Sequence, residues 1–109
     1  MNDVVLVLST APAAAGNDTA EQIARVLVDE RLAACVNVHA PMVSVYRWKG
    51  AVERDSERQL VIKTTRAAFP ALEKRLRELH PYELPELIVV SVAGGSEKYL
   101  EWVAQGVRT

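Results

Sequence analysis

Cysteine, histidine and glycine are scarce in this sequence, and each scarcity excludes a class of functional site. The single cysteine, Cys35, cannot form an internal disulfide and is typical of a reducing compartment, so we expect a cytoplasmic protein. With only two histidines beside it, the chain has no C-x-x-C or H-x-x-x-H spacing of the kind that zinc sites use. The five glycines form neither G-x-G-x-x-G nor a Walker motif after a strand, which argues against nucleotide hydrolysis by a phosphate loop.

An excess of charge of one sign is missing as well, and so is a long apolar run. The 13 basic and 14 acidic side chains give a net charge of −1 without a basic stripe, so we expect no nucleic-acid partner. The apolar run at residues 4–8 is too short to span a bilayer and lacks the flanks of a signal peptide, so we expect no membrane partner. The composition, 50% hydrophobic and 25% charged, predicts a single globular domain over residues 1–109.

Hydrophobic periodicity predicts both strands and helices along the chain. Apolar positions at three- and four-residue spacing predict one helix over residues 18–33 and a second that ends before Pro81. We expect Thr64 or Thr65 to cap the second helix. Lys49-Gly50 is typical of a two-residue hairpin turn. Four strands are predicted: residues 4–8, residues 35–38 continued by 43–48 beyond an interruption at Pro41, residues 52–65 and residues 87–92.

The predicted order is strand, helix, two strands, helix, strand and a short final helix capped by Ser96. This order is the α+β, ferredoxin-like βαββαβ sandwich, with both long helices on one face of a four-stranded sheet. The other face still receives alternate apolar side chains, either Val5 and Val7 or Leu6 and Leu8 with their partners on other strands. Leaving each of them in water forfeits about 1.5–3 kcal/mol relative to burial. We therefore expect the chain to self-associate through this face.

The strand over residues 52–65 gives a second reason to expect self-association. Fully extended, it would be roughly 45 Å long, whereas a compact domain of this size is only about 35 Å across. Unless a bulge near Asp55-Ser56 bends it, a hairpin arm would overhang the core and present its edge to a neighbouring copy.

No nucleophile in the sequence has the partners that catalysis needs. Cys35 begins a strand directly after a helix, where a small buried thiol is the common outcome. His39 lies on the same strand about 13 Å further on, too far for a thiolate–imidazole pair. Ser9 lacks the G-x-S-x-G context and is interpreted as a strand-end hydroxyl. We therefore assign no catalytic residue and expect no enzymatic activity.

His80 is the best candidate for a metal ligand. It ends the second helix, where the negative end of the helix dipole favours a cation, and Pro81 fixes the chain just after it. The alternative is an imidazole hydrogen-bonded to a free carbonyl. One imidazole alone binds copper or zinc weakly, so a real site would need donors from a second loop or subunit.

Aromatic and charged residues form a second candidate site. Polar groups on an apolar wall could line a pocket between subunits that holds a small anionic or metal-bound ligand. The alternative is that the aromatic residues of the hairpin are interface anchors. The residues of this predicted cleft are Tyr46, Trp48, Glu57, Lys63, Tyr82 and Glu83.

Six segments together resemble the divalent-cation-tolerance (CutA) family, in order along nearly the whole chain. They are STAP at residues 9–12, RLAACVN at 31–37, VYRWKG at 45–50, IKT at 62–64, HPYELPE at 80–86 and Y-L-x-W at 99–102. The resemblance implies a ferredoxin-like subunit in a tight homotrimer, similar in architecture to PII signalling proteins. It also implies a role in tolerance of copper and other divalent cations without an enzymatic reaction, and no required cofactor.

The resemblance also bears on the candidate sites. Similar proteins are described as binding copper through a cysteine just after the first strand and a His-His pair before Pro-Tyr. In this chain those positions hold Ser9, Leu79 and His80, so only His80 matches and a hydroxyl is a poor ligand for a soft metal. The segments of Trp48, Lys63 and Tyr82 line the cleft between subunits in the family. Three functions therefore stay open: a metal-response protein, a PII-like sensor of a small ligand, and a trimeric scaffold for protein contacts.

Overall fold

A computed structural model describes residues 3–14, 16 and 18–108. Five strands and three helices follow one another in these residues, close to the predicted order. They are β1 (Val4–Pro12), α1 (Thr19–Asp29), β2 (Cys35–Val38), β3 (Met42–Trp48), β4 (Ala51–Thr65), α2 (Phe69–Leu79), β5 (Ile88–Ser91) and α3 (Glu97–Gly106). Among the described residues, none of the three helices has the length and hydrophobicity that crossing a bilayer requires.

All the strand pairs are antiparallel, and β4 is the longest strand of the sheet. The order is β2-β4-β1-β5, while β3 pairs with the part of β4 that extends beyond β1. The predicted second strand is thus divided in two around Pro41, which has no amide hydrogen for a ladder. The α+β class, with an antiparallel sheet and three helices, is confirmed.

The hydrophobic core lies between one face of the sheet and the two long helices. Alternation along β1 directs Val5 and Val7 into this core, opposite Thr64 and Ile62 of β4. The Asp18 side chain caps α1 by accepting from the amide of Glu21. The helices contribute fully or almost fully buried side chains to the core, namely Ile23, Leu27, Leu72 and Leu76.

The end of α1 and the start of α2 differ from the prediction. Helix α1 ends at Asp29 rather than at residue 33, because Arg31 adopts a positive φ of 59° that no helix tolerates. Leu32 stays in the core although it has left the helix, which is why its spacing imitates a longer one. Helix α2 begins after Ala68, so neither Thr64 nor Thr65 is its N-cap residue, but the Thr65 hydroxyl accepts from the Ala68 amide at 3.3 Å in the turn that leads into the helix.

The second face of the sheet is apolar and only partly covered. It receives Leu6 and Leu8 rather than Val5 and Val7, together with Val61, Ile88 and Val90. We call these five residues the open face. Helix α3 contacts β4 and β1 at one end of this side of the sheet. Ile88 and Val90 nevertheless stay 50% and 39% exposed.

A hairpin arm extends from the sheet. Strand β3 and the first part of β4 pair from Met42–Glu57 to Trp48–Ala51 without a bulge. Lys49 and Gly50 both have positive φ, at 49° and 83°, as a tight hairpin turn requires. The arm stretches the subunit to 43 Å along its longest axis, which confirms the predicted overhang.

Candidate functional site

A groove of about 920 Å³ lies between the hairpin arm and the segment that joins α2 to β5. Five of the six residues of the predicted cleft line it: Tyr46, Trp48, Glu57, Tyr82 and Glu83. The groove also reaches the open face, because Ile88 belongs to both. The structure therefore brings together most of the residues that the sequence singled out.

Glu57 occupies the point where the sheet ends and the arm begins. It is paired on one side with Pro12, the last residue of β1, and on the other with Met42, the first residue of β3. Flanked by both strands, Glu57 is only 7% exposed. The Tyr82 hydroxyl donates to Glu57 Oε2 at 2.8 Å. This contact connects the arm to the segment after α2 across the groove.

The His80 ring connects Tyr82 to β1, because one of its nitrogens bonds to Tyr82 and the other to Thr10. Nδ1 accepts from the backbone amide of Tyr82 at 3.1 Å, so the ring hydrogen is on Nε2, which donates to the Thr10 carbonyl at 2.7 Å. The two rings pack with their centroids 4.7 Å apart. In this arrangement neither ring nitrogen has a free lone pair. The structure shows the imidazole hydrogen-bonded to a carbonyl, which was the alternative to a metal ligand in the sequence analysis.

Ser9 and Gln59 fix the other end of the same segment. The Ser9 hydroxyl, fully buried, donates to the Glu86 carbonyl at 2.8 Å. The Gln59 amide donates to the Ser9 carbonyl at 2.6 Å and to the Glu86 carboxylate at 3.4 Å. Ser9 is therefore an internal anchor. The sequence reading missed Gln59 and Glu86, although Gln59 lies two residues after Glu57 on the same side of β4 and Glu86 ends the HPYELPE segment.

The two tyrosines of the groove are each tied to a carboxylate. A hydrogen bond from Tyr46 to Asp55, with smaller effects of burial and nearby acidic charge, raises the pKa of Tyr46 to about 12. Burial, followed by the hydrogen bond to Glu57, raises the pKa of Tyr82 further above its ordinary value. Both phenols therefore stay protonated donors at neutral pH.

Lys63 lies outside the groove. It is six residues after Glu57 on β4, about 20 Å away along the strand. Its ammonium group donates to the Asn37 side chain and lies 3.9 Å from Cys35 Sγ. The Cys35 thiol is half-buried rather than buried, because it faces the side of the sheet away from α1 and α2.

Negative charge and aromatic rings dominate the groove. Glu57, Glu83 and Glu86 line it, no lysine or arginine is among the described residues that line it, and the nearest recorded ammonium group, that of Lys49, lies 5.6 Å from the centre of the Trp48 ring. Residues 3–14, 16 and 18–108 also contain no group of three histidine, cysteine or carboxylate side chains placed to hold a metal ion. The groove can therefore accept hydrogen-bond donors and positive charge, and the anionic ligand considered from the sequence has no cationic partner here.

Replacing Asp55 with Asn should lower the pH at which Tyr46 ionises. The raised pKa means that the Tyr46–Asp55 contact is fully present below about pH 10, the ordinary tyrosine pKa, and is lost as the pH rises to about 12. Ultraviolet titration measures tyrosinate, and subtracting the matching Tyr46→Phe protein isolates the Tyr46 signal. The Ser56→Ala variant is the neighbouring control and should titrate like the parent. Identical Tyr46 titrations with and without Asp55→Asn would contradict the assignment.

A family model described as "CutA1 divalent ion tolerance protein" matches residues 5–106 of the chain. The chain is 45% identical over 105 residues to the divalent-cation tolerance protein CutA of Thermus thermophilus, with 96% of this chain and 97% of that protein covered. It is 48% identical over 86 residues to human protein CutA. That match covers 79% of this chain and 48% of the human protein, so the chain spans about half of that relative's length.

Solved structures agree with the sequence matches. A structure of the Thermus thermophilus divalent cation tolerance protein superposes with a TM-score of 0.91 at 43% identity, covering 96% of this chain and 99% of that one. A protein from Archaeoglobus fulgidus, described as a periplasmic divalent cation tolerance protein CutA, gives 0.89 at 28% identity, covering 96% and 99%. Sequence and structure together lead to one conclusion: the chain belongs to the CutA1 divalent ion tolerance family.

Proposed function

We propose that this chain is a non-enzymatic protein of divalent-cation tolerance that acts as a homotrimer of ferredoxin-like subunits. The observation that carries the proposal is that the groove and the open face share Ile88. If the open faces of three copies pack together, each groove lies at a boundary between two subunits. Ligand binding at the groove and assembly are then connected through β5 and the arm.

The energetics of the open face favour assembly. Ile88 and Val90 are 50% and 39% exposed on the same side of the sheet as the half-buried Leu6, Leu8 and Val61. Full burial of such a side chain is worth about 1.5–3 kcal/mol relative to exposure. Neighbouring copies that cover this patch would recover part of that free energy from every subunit. The exposed valines of the arm, Val43, Val45 and Val52, lie on the opposite face of the β3–β4 pair and do not belong to this patch.

A second candidate function is a PII-like sensor of a small ligand. A volume of about 920 Å³ lies within the range of small-molecule sites, and it is far larger than a single metal ion requires. The two functions are compatible, since a tolerance protein can respond to a small ligand that binds in its groove.

The half-buried free thiol of Cys35 supports a cytoplasmic location as part of this proposal.

The assignment of His80 as a copper ligand stays a prediction. It requires that one of the two hydrogen bonds of the His80 ring be broken. A copper ion could reach Nδ1 only by displacing the Tyr82 amide, or Nε2 only by displacing its hydrogen and the Thr10 carbonyl. We propose instead that His80 positions Tyr82.

Copper titration of the intact protein should then give the same affinity for the parent and for His80→Ala. A clear loss of affinity in His80→Ala, with the fold intact by circular dichroism, would restore His80 as a ligand.

The solution mass of the protein tests the trimer. Light scattering behind a sizing column should give three times the subunit mass of 12.0 kDa. Val90→Glu places a charge on the open face and should reduce the mass to that of one subunit. Val28→Glu is the matched control, because Val28 has a similar exposure of 41% on α1, and it should leave the trimer intact. A parent protein of 12.0 kDa, or a trimer unaffected by Val90→Glu, would contradict the proposal.

A further inference from the structure

We propose that the groove binds an organic cation, an alkyl guanidinium or ammonium compound, with Glu57 as the carboxylate that receives its charge. The inference rests on the proposed role of the groove as the ligand site, and it names the class of ligand. Four observations support it: the burial of Glu57, the direction of the nearby basic side chains, the aromatic walls and the spacing of the carboxylates.

Glu57 is a nearly buried carboxylate without a cationic partner among the described residues. At 7% exposure, it receives a hydrogen bond from the neutral Tyr82 hydroxyl and forms none of the ion pairs found in the described part of the chain. A carboxylate removed from water is costly unless a positive charge compensates for it. Because Glu57 lines the groove, a ligand there can supply that charge.

Two basic side chains of the strands that form the arm, Arg58 and Arg47, are directed elsewhere. Arg58, the next residue, forms an ion pair with Asp18 at 3.1 Å and donates to the His39 carbonyl at 2.8 Å. Arg47 donates to the Gly50 carbonyl in the hairpin turn. Neither side chain lines the groove, so the negative charge of Glu57 is left for a molecule that enters it.

The walls of the groove suit a cation that carries an organic body. Tyr46 and Tyr82 provide aromatic rings, whose faces attract ammonium and guanidinium groups, while the ring of Trp48 already has the Lys49 ammonium over it. Leu84 and Leu87 add apolar surface for a carbon chain. A strongly hydrated inorganic ion gains little from such walls, whereas an alkyl cation uses both its charge and its apolar part.

The spacing of the carboxylates distinguishes an organic cation from a metal. A divalent metal requires several ligand atoms in one shell, and no group of three suitable side chains exists in the described residues. Glu86 is held by Gln59, on the far side of the groove from the arm. Separate carboxylates can instead receive different donors of one extended molecule.

Two ligands of the same shape and different charge test the inference. Butylguanidinium and neutral butylurea are titrated by calorimetry into the intact protein at low salt. We expect butylguanidinium to bind and butylurea to bind at least tenfold more weakly. Glu57→Gln, which keeps an oxygen for the Tyr82 hydroxyl, should weaken butylguanidinium binding at least tenfold. Glu21→Gln is the matched control, since Glu21 is an exposed residue of α1 and does not line the groove, and it should bind like the parent.

The other possible results separate the organic-cation inference from the proposed trimer. Equal binding of butylurea and butylguanidinium, or unchanged binding in Glu57→Gln, would overturn the inference. Binding of manganese or copper ions that depends on Glu57, without binding of butylguanidinium, would also overturn it while the proposed tolerance function stands. Butylguanidinium binding by a protein that proves monomeric would support the inference and contradict the proposed trimer. Absence of any cation binding by a correct trimer would leave the proposed assembly intact and end the inference.

Discussion

The structure depends on the continuity of strand β4. One half of this strand joins β1 and β2 in the sheet, and the other half carries β3 out into the arm, without a bulge between them. The register places Glu57 at the junction, paired with the end of β1 and the start of β3. A carboxylate that would be exposed on a short strand is thereby buried at the base of an arm. The Tyr82 hydroxyl then connects it to the segment after α2.

The groove takes its chemistry from this junction and from the segment that faces it. His80, Ser9 and Gln59 each form a hydrogen bond that holds this segment against β1 or β4. Their hydrogen bonds determine where Tyr82 and Glu86 lie. Carboxylates and aromatic rings are left facing the groove, next to an apolar sheet face that favours assembly. The groove and the open face are neighbours for this physical reason.

Much of the fold could be predicted from local patterns. Apolar runs between turn residues identified the strands, the cap by Ser96 followed from its side-chain chemistry, and Lys49-Gly50 marked the hairpin. The end of α1 could not be predicted, because Arg31 takes a left-handed conformation without the glycine that usually announces one. Five of the six cleft residues line the groove, while Lys63 lies at the other end of the same strand. The bonds of His80 to Thr10 and of Ser9 to Glu86 join residues about seventy positions apart, so no local pattern contains them.

A crystal structure of the protein grown with butylguanidinium tests the central claim, that the groove at the β4 junction is a site for an organic cation. The account predicts the guanidinium group within hydrogen-bond distance of the Glu57 carboxylate and the butyl chain against the ring of Tyr82 or Tyr46. A basic side chain of a neighbouring copy in that position, or a metal ion held by Glu57, would contradict it.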